Sequence, residues 1–308
     1  MPIHYIDRKT GEKKEETIAG DKLLRWIYKT RSGFFLLESV IKRKLFSSLY
    51  GKLQDTGFSR RKIKNFVDHL QIDMTEAKIE NLSSYHTFNH FFARELKSEA
   101  RPINFNPNIL ISPADGRVLA WEKIAADKLL QVKGSSYSLV DLLQDKDMAL
   151  DYDRGTCIVI RLCPSDYHRF HFPDTGIPSK PQSLNGHYYS VNPLALRKIP
   201  RLYCENKREL TVFSSNNFGD ILMIEVGATC VGSIIQTYTP FLKAQKGLEK
   251  GYFKFGGSTI ILLLKKDSII IDDDILSNTA RGIETKVWMG ERIGVNSFNK
   301  FYANGCKY

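Results

Sequence analysis

A chain of 308 residues with 42% apolar and 26% charged residues is long enough to bury a substantial core, which excludes a disordered tail. It suits one large domain, or a domain with a smaller appendage. The formal net charge of +11 points to an anionic partner: nucleic acid, an acidic membrane surface or a phosphorylated substrate. The five cysteines (Cys157, Cys163, Cys204, Cys230 and Cys306) are odd in number and lack zinc-site spacing. No metal is expected, and a reducing compartment is the simpler reading.

The first segment, Met1 to Lys14, is polar and lacks the apolar core of a signal peptide. Residues from about 20 to 98 read as helical. Leu23, Leu24, Trp26, Ile27 and Tyr28 stand among Lys22, Arg25 and Lys29, and Phe34 to Leu49 carries Lys42, Arg43 and Lys44. Ile63, Phe66, Val67 and Leu70 keep a helical spacing behind Arg60, Arg61 and Lys62. A fourth helix is predicted from an N-cap at Thr87, with Phe88, Phe91, Phe92 and Leu96 on one face. No uncharged apolar run reaches bilayer length, since Ser32 to Leu37 is soon ended by Glu38, so any membrane contact is expected to be peripheral.

Beyond Arg101-Pro102 the texture changes to short β-rich runs: Cys157 to Ile160, Ile221 to Ile224, Val231 to Ile235, Thr259 to Leu264 and Ser268 to Ile271. Few helix-length segments separate them, which argues for antiparallel pairing. The expected fold is α+β: a basic helical region over 1–98, then a mainly antiparallel, β-rich body over 99–308.

Three segments carry chemistry. In Phe253-Lys254-Phe255-Gly256-Gly257-Ser258-Thr259, two glycines and a serine stand at a strand entrance. Alone this is an ordinary tight turn, and Ile260 denies it the second glycine of a G-x-S-x-G elbow. In Cys163-Pro164-Ser165-Asp166-Tyr167-His168-Arg169-Phe170-His171, two histidines three apart suit metal ligation, though no third ligand stands nearby in sequence, or hydrogen-bonded structural roles. Arg169 reads equally as an anion contact or a salt bridge. Ser112-Pro113-Ala114-Asp115-Gly116-Arg117 reads as a turn.

Together, and in this order, the segments closely resemble the phosphatidylserine decarboxylase family. The resemblance runs from about Thr87 to Gly294. It also takes in Phe91-Phe92-Ala93-Arg94-Glu95-Leu96-Lys97 with Arg101-Pro102-Ile103, Ser190-Val191-Asn192, Val226-Gly227-Ala228-Thr229 and Val231-Gly232-Ser233-Ile234. One departure is Gly256, where many members carry Leu; glycine there is expected to ease a sharp backbone path.

The resemblance implies a proenzyme cut between Gly257 and Ser258 into a long chain (1–257) and a short chain (258–308) that stay packed together. It makes Asp115, His171 and Ser258 a self-processing triad, with His171 taking the Ser258 proton and Asp115 orienting the imidazole. Ser258 then becomes a covalent pyruvoyl group that decarboxylates phosphatidylserine to phosphatidylethanolamine through a Schiff base. His168 is expected to act in the decarboxylation rather than the cleavage. The implied setting is peripheral, on the cytoplasmic face of the cell membrane, as a homodimer of the cleaved unit.

Twelve Lys or Arg against three acidic residues between Asp21 and Lys64 suit an anionic lipid surface. Three rivals stand beside this reading. A nucleic-acid binder would use the Arg60-Arg61-Lys62 cluster but leaves Ser258 unexplained, so no nucleic acid is expected. A serine hydrolase would keep the Ser258 hydroxyl. Another pyruvoyl enzyme would act on a soluble amino acid.

Overall fold

The computed structural model describes residues 3–127, 129–131, 135–228 and 234–297. Its frame is a ten-stranded sheet. Neighbouring strands run Gln182–Leu184, Arg208–Ser215, Gly219–Val226, Ser258–Leu264, Thr156–Leu162, Gly116–Glu122, Glu284–Val287, His4–Asp7 and Lys13–Glu15, with Gly176–Pro178 also pairing Arg208–Ser215. The pairings in this sheet are antiparallel except His4–Asp7 with Glu284–Val287. The α+β expectation therefore holds.

Composition explains which strands are central. Every residue of Thr156–Leu162 and Ser258–Leu264 is buried. Side chains alternate between faces with period two, so a continuously apolar strand needs cover on both sides. Ile261 and Leu263 join one core, with Leu139, Leu142, Ala195 and Leu202 from short helices. Ile260, Leu262 and Leu264 join the other, with Phe170, Phe172, Phe213 and Phe253. The run Ser268 to Ile271 supplies the strand Ile269–Ile271 of a separate three-stranded sheet. Of Val231 to Ile235, residues 231–233 lie outside the described residues; Ile234 opens the strand Ile234–Gln236.

The helical region is present as Asp21–Lys29, Arg31–Leu36, a π-helical turn Leu37–Ile41, Lys44–Gln54, a 3-10 turn Gly57–Lys62 and Ile63–Leu70. The chain before it does not stand apart from the body: His4–Asp7 and Lys13–Glu15 extend the main sheet. The polarity of that segment concealed this, because edge strands tolerate charge.

Thr87 does cap a helix, accepting from His90 N at 3.1 Å, but the helix covers only Phe88–Phe92. Leu96 lies beyond it and bridges Ala77. Lys78 N donates to Glu95 O at 2.9 Å and Lys97 N to Glu76 O at 2.8 Å, so the next backbone groups find partners across the chain. Phe88, Phe91 and Phe92 are fully buried, and Phe255 sits edge-on to Phe88 and Phe92, at 4.8 and 5.1 Å between centroids. That cluster, with Asn89 Oδ1 accepting from Phe255 N at 2.9 Å, anchors the chain just before Ser258.

Candidate active site

Ser258 is the first residue of the central strand, opposite Leu162, and is fully buried. The chain enters through Gly256 at φ +139°, a conformation L side chains rarely adopt. Glycine at this position thus has a backbone reason. A side chain on Gly257 would begin 3.0 Å from Val191 Cγ2, so the Gly257-Ser258 bond is approached closely.

His168 is set against Ser258 by a tight turn. The strand Thr156–Leu162 ends at Cys163, whose N–H donates to Asp166 Oδ2 at 2.7 Å, while Asp166 N donates back to Cys163 O at 2.9 Å. The turn returns His168 so that Nε2 meets Cys163 O at 2.9 Å and Nδ1 meets Ser258 Oγ at 3.3 Å. A carbonyl only accepts, so Nε2 carries the proton and Nδ1 turns its lone pair toward the hydroxyl. The ring stacks on Phe92 with centroids 4.0 Å apart. Burial pushes the His168 pKa down to about 3, against the opposing pull of Asp166, so the imidazole is neutral.

The turn is braced by buried charge. Arg117 Nη1 donates to both Asp166 oxygens, at 2.7 and 2.5 Å. Burial raises the Asp166 pKa, but the Arg117 charge outweighs it and holds the carboxyl below its usual range. Glu16, from the N-terminal segment, lies 3.4 Å from Arg117 Nε and 2.7 Å from Arg161 Nη2, and Arg161 also binds Glu284 at 2.6 Å.

Among the described residues, the hydrogen bonds of Asp115, His171 and Ser258 run to other partners than one another. His171 Nδ1 meets Gly247 O at 2.9 Å and Nε2 meets Tyr167 Oη at 3.2 Å, so both ring nitrogens are occupied. Asp115, 1% exposed, accepts from Arg101 Nε at 2.8 Å, Arg101 Nη2 at 2.7 Å and Met289 N at 2.8 Å. The two are linked through backbone: His171 N donates to Pro113 O at 2.8 Å, which ties the histidine strand Arg169–His171 to the Asp115 turn. Arg169 is a salt-bridge residue, with Nη1 2.7 Å from Glu249.

Arg101, Asp166 and Tyr167 stood inside the quoted motifs, but no role was read for them. Arg117 reads in sequence only as the end of the Asp115 turn, whereas it lies in the strand Gly116–Glu122. The partners of Arg101, Arg117 and Asp166 lie 14 to 49 residues away, and that of Tyr167 is His171. Among the described residues there is no cluster suited to a metal ion.

A sequence model of the phosphatidylserine decarboxylase family matches residues 88–295. Curated relatives named phosphatidylserine decarboxylase proenzyme are similar over nearly the whole length. That of Clostridium beijerinckii is 53% identical over 95% of this chain and 98% of the relative. That of Clostridium tetani gives the same figures, and that of Clostridium botulinum strain Langeland is 54% identical over 95% and 99%. The chain belongs to the phosphatidylserine decarboxylase family.

Proposed function

We propose that this chain cuts itself between Gly257 and Ser258, converts Ser258 to a pyruvoyl group, and decarboxylates phosphatidylserine to phosphatidylethanolamine. The observation that carries this reading is the 3.3 Å contact between Ser258 Oγ and the unprotonated Nδ1 of His168, directly after the Gly256-Gly257 entry.

A serine hydroxyl needs a base to attack at neutral pH. His168 takes the proton as Oγ attacks the Gly257 carbonyl carbon. The C–N bond breaks and an ester forms, with the nitrogen of residue 258 released as an amine. Loss of the Ser258 α-proton then expels the Gly257 carboxylate and leaves dehydroalanine, whose tautomer reacts with water to give the keto group and ammonia. The His168 imidazolium has no carboxylate hydrogen-bonded to it, because its Nε2–H faces the neutral Cys163 carbonyl, and the Asp166 charge offsets its burial only in part. A base of such low pKa works slowly, which a once-per-molecule reaction tolerates.

Asp115 and His171 remain in the processing machinery by way of the Pro113–His171 link and Tyr167, which position the segment bearing His168. In this reading His168 serves the cleavage as well as the decarboxylation. The site suits a pyruvoyl group: Ser258 is buried, fixed on a central strand, and faced by a neutral imidazole. When formed, that group supplies a sink for the electrons freed as the carboxylate leaves. His168, stacked on Phe92, holds a proton-transfer group beside it and Phe92 and Phe255 exclude water.

An anionic membrane is the proposed source of substrate. No helix among the described residues is long and apolar enough to cross a bilayer. Phe35, Leu45 and Phe58 are 74, 72 and 76% exposed, in segments that carry Arg31, Lys44, Arg60 and Arg61. Exposed apolar side chains among cations suit peripheral binding to acidic lipid on the cytoplasmic face.

Intact mass spectrometry under denaturing conditions, with and without borohydride, tests the processing. The expected result is two fragments, 1–257 and 258–308, the shorter with a reducible terminus. A single full-length mass that persists on incubation, with no decarboxylation, would overturn the proposal and favour a serine hydrolase.

A further inference from the structure

Arg94 is 5% exposed, yet its Nε and Nη1 find no hydrogen-bond partner among the described residues. Its Nη2 reaches only Ser165 O, at 3.4 Å, and its guanidinium lies 5.3 Å from the Phe91 ring centroid. A buried cation without an acid is costly and calls for a partner from outside the chain. Burial also lowers the Arg94 pKa, and the charges of Tyr85, Asp115 and Asp166 offset this only in part.

Arg94 lines a cleft of about 740 Å³, whose wall includes Ser165, Asp166 and Tyr167, the outer side of the turn that presents His168 to Ser258. Three carboxylates facing this cleft are already committed: Asp115 and Glu76 to Arg101, and Asp166 to Arg117. Glu15 and Asp73 also line it but are exposed. Lys286 lines it too, with Nζ 4.4 Å from the Trp288 ring centroid. The cleft wall thus holds a guanidinium with unused N–H groups on two of its edges, at Nε and at Nη1, and a lysine elsewhere on the same wall, donors that suit the oxygens of a phosphate.

We propose that Arg94 is a specificity-determining residue that binds the phosphate of a phosphate-bearing headgroup in this cleft, the headgroup of phosphatidylserine being the occupant that the proposed activity supplies. Phosphate fits better than the substrate's other anion. A guanidinium on the carboxylate would stabilise a charge that the reaction removes, and so would raise the barrier; the phosphodiester keeps its charge throughout.

The inference rests on the proposed decarboxylation, and its test separates the two. Processed wild type and Arg94→Gln are compared on phosphatidylserine in neutral detergent micelles, with cleavage checked by mass. Arg94→Gln is expected to cleave, to raise KM about tenfold or more, and to change kcat less than about threefold. A cleaved variant with unchanged KM overturns the inference.

If Arg94→Gln fails to cleave, competition on the wild type decides. Glycerophosphoserine should inhibit far better than serine methyl ester, which lacks the phosphate, and equal inhibition overturns the site. Inhibition that inorganic phosphate does not reproduce identifies the lipid headgroup as occupant. Inorganic phosphate that inhibits without competing against phosphatidylserine identifies a separate phosphate site, and overturns the headgroup assignment. A wild type that decarboxylates nothing refutes the proposed function instead, and calorimetric titration of the Ser258→Ala chain with glycerophosphoserine and inorganic phosphate then decides whether Arg94 binds phosphate, absence of heat refuting it.

Discussion

Ser258 differs from other buried serines in what faces it and what precedes it. Its hydroxyl meets a histidine locked in the tautomer of a base, and the residue two before it has φ +139°. Removing the base should be severe: His168→Ala is expected to slow self-cleavage at least about a hundredfold, followed by gel or mass in a timed refolding assay. Cleavage at the wild-type rate in His168→Ala would return the proton to His171, which would then have to leave its Gly247 and Tyr167 contacts.

The pH profile is a second check at this scale. A free histidine titrates near 6.5, but burial depresses the pKa of both His168, to about 3, and His171. The neutral base therefore persists as pH falls, and the cleavage rate should show no inflection near 6.5 between about pH 8 and 5. Stability follows with a definite sign. Because the folded values are depressed, the unfolded chain takes up protons first, so the stability held above pH 6.5 is lost as pH falls below it. For Gly256, Gly256→Ala in the uncleavable Ser258→Ala background is expected to cost about 1–2 kcal/mol of unfolding free energy in urea, the strain of a Cβ in left-handed backbone.

At the scale of elements, the site hangs on one turn and one aromatic cluster. The turn from Cys163 to His168 closes on Asp166, which takes the Cys163 N–H and the Arg117 guanidinium together. Asp166→Asn keeps the volume and loses the charge that Arg117 requires. It should slow cleavage by about one to two orders of magnitude while the fold persists by circular dichroism, since small displacements of a positioned base are expensive. Much of this was legible as motif and little as geometry. Thr87 announced its helix through its cap, but the length of that helix depended on residues 76–78 offering backbone partners to 95–97. Glu16 gave no signal in sequence, because a single acid in a charged segment says nothing of two arginines 101 and 145 residues away.

For the whole molecule, the position of Ser258–Leu264 in the sheet decides what cleavage can do. Its neighbours Gly219–Val226 and Thr156–Leu162 both lie in the long chain, on either side of it. A cut at Gly257-Ser258 therefore leaves the short chain held in mid-sheet, with its apolar strand buried on both faces. The fragments should co-migrate in native gel filtration and separate only in denaturant; dissociation under native conditions would contradict this topology. The exposed Phe35, Leu45 and Phe58 make the complementary prediction for the membrane. Each such side chain contributes about 1.5 kcal/mol or more when buried, so replacing all three with Ser should weaken binding to phosphatidylserine-containing vesicles more than about tenfold in a sedimentation assay.

What the sequence determined by itself was chemistry carried by local order: the Gly257-Ser258 bond at a strand entrance, the two-histidine segment, the Asp115 turn, the basic helical stretch and an α+β fold of antiparallel runs. These depend on residue types at short spacing, which is what a sequence displays. Only the tertiary structure decided which histidine meets Ser258. His168 and His171 stand three apart with the same chemistry, and the choice rests on a turn braced by Arg117 and on Ser258 arriving from 90 residues away. The same holds for the partners of Asp115, for Glu16 between Arg117 and Arg161, and for the unpaired Arg94, because long-range pairing and burial of charge are properties of the packed chain.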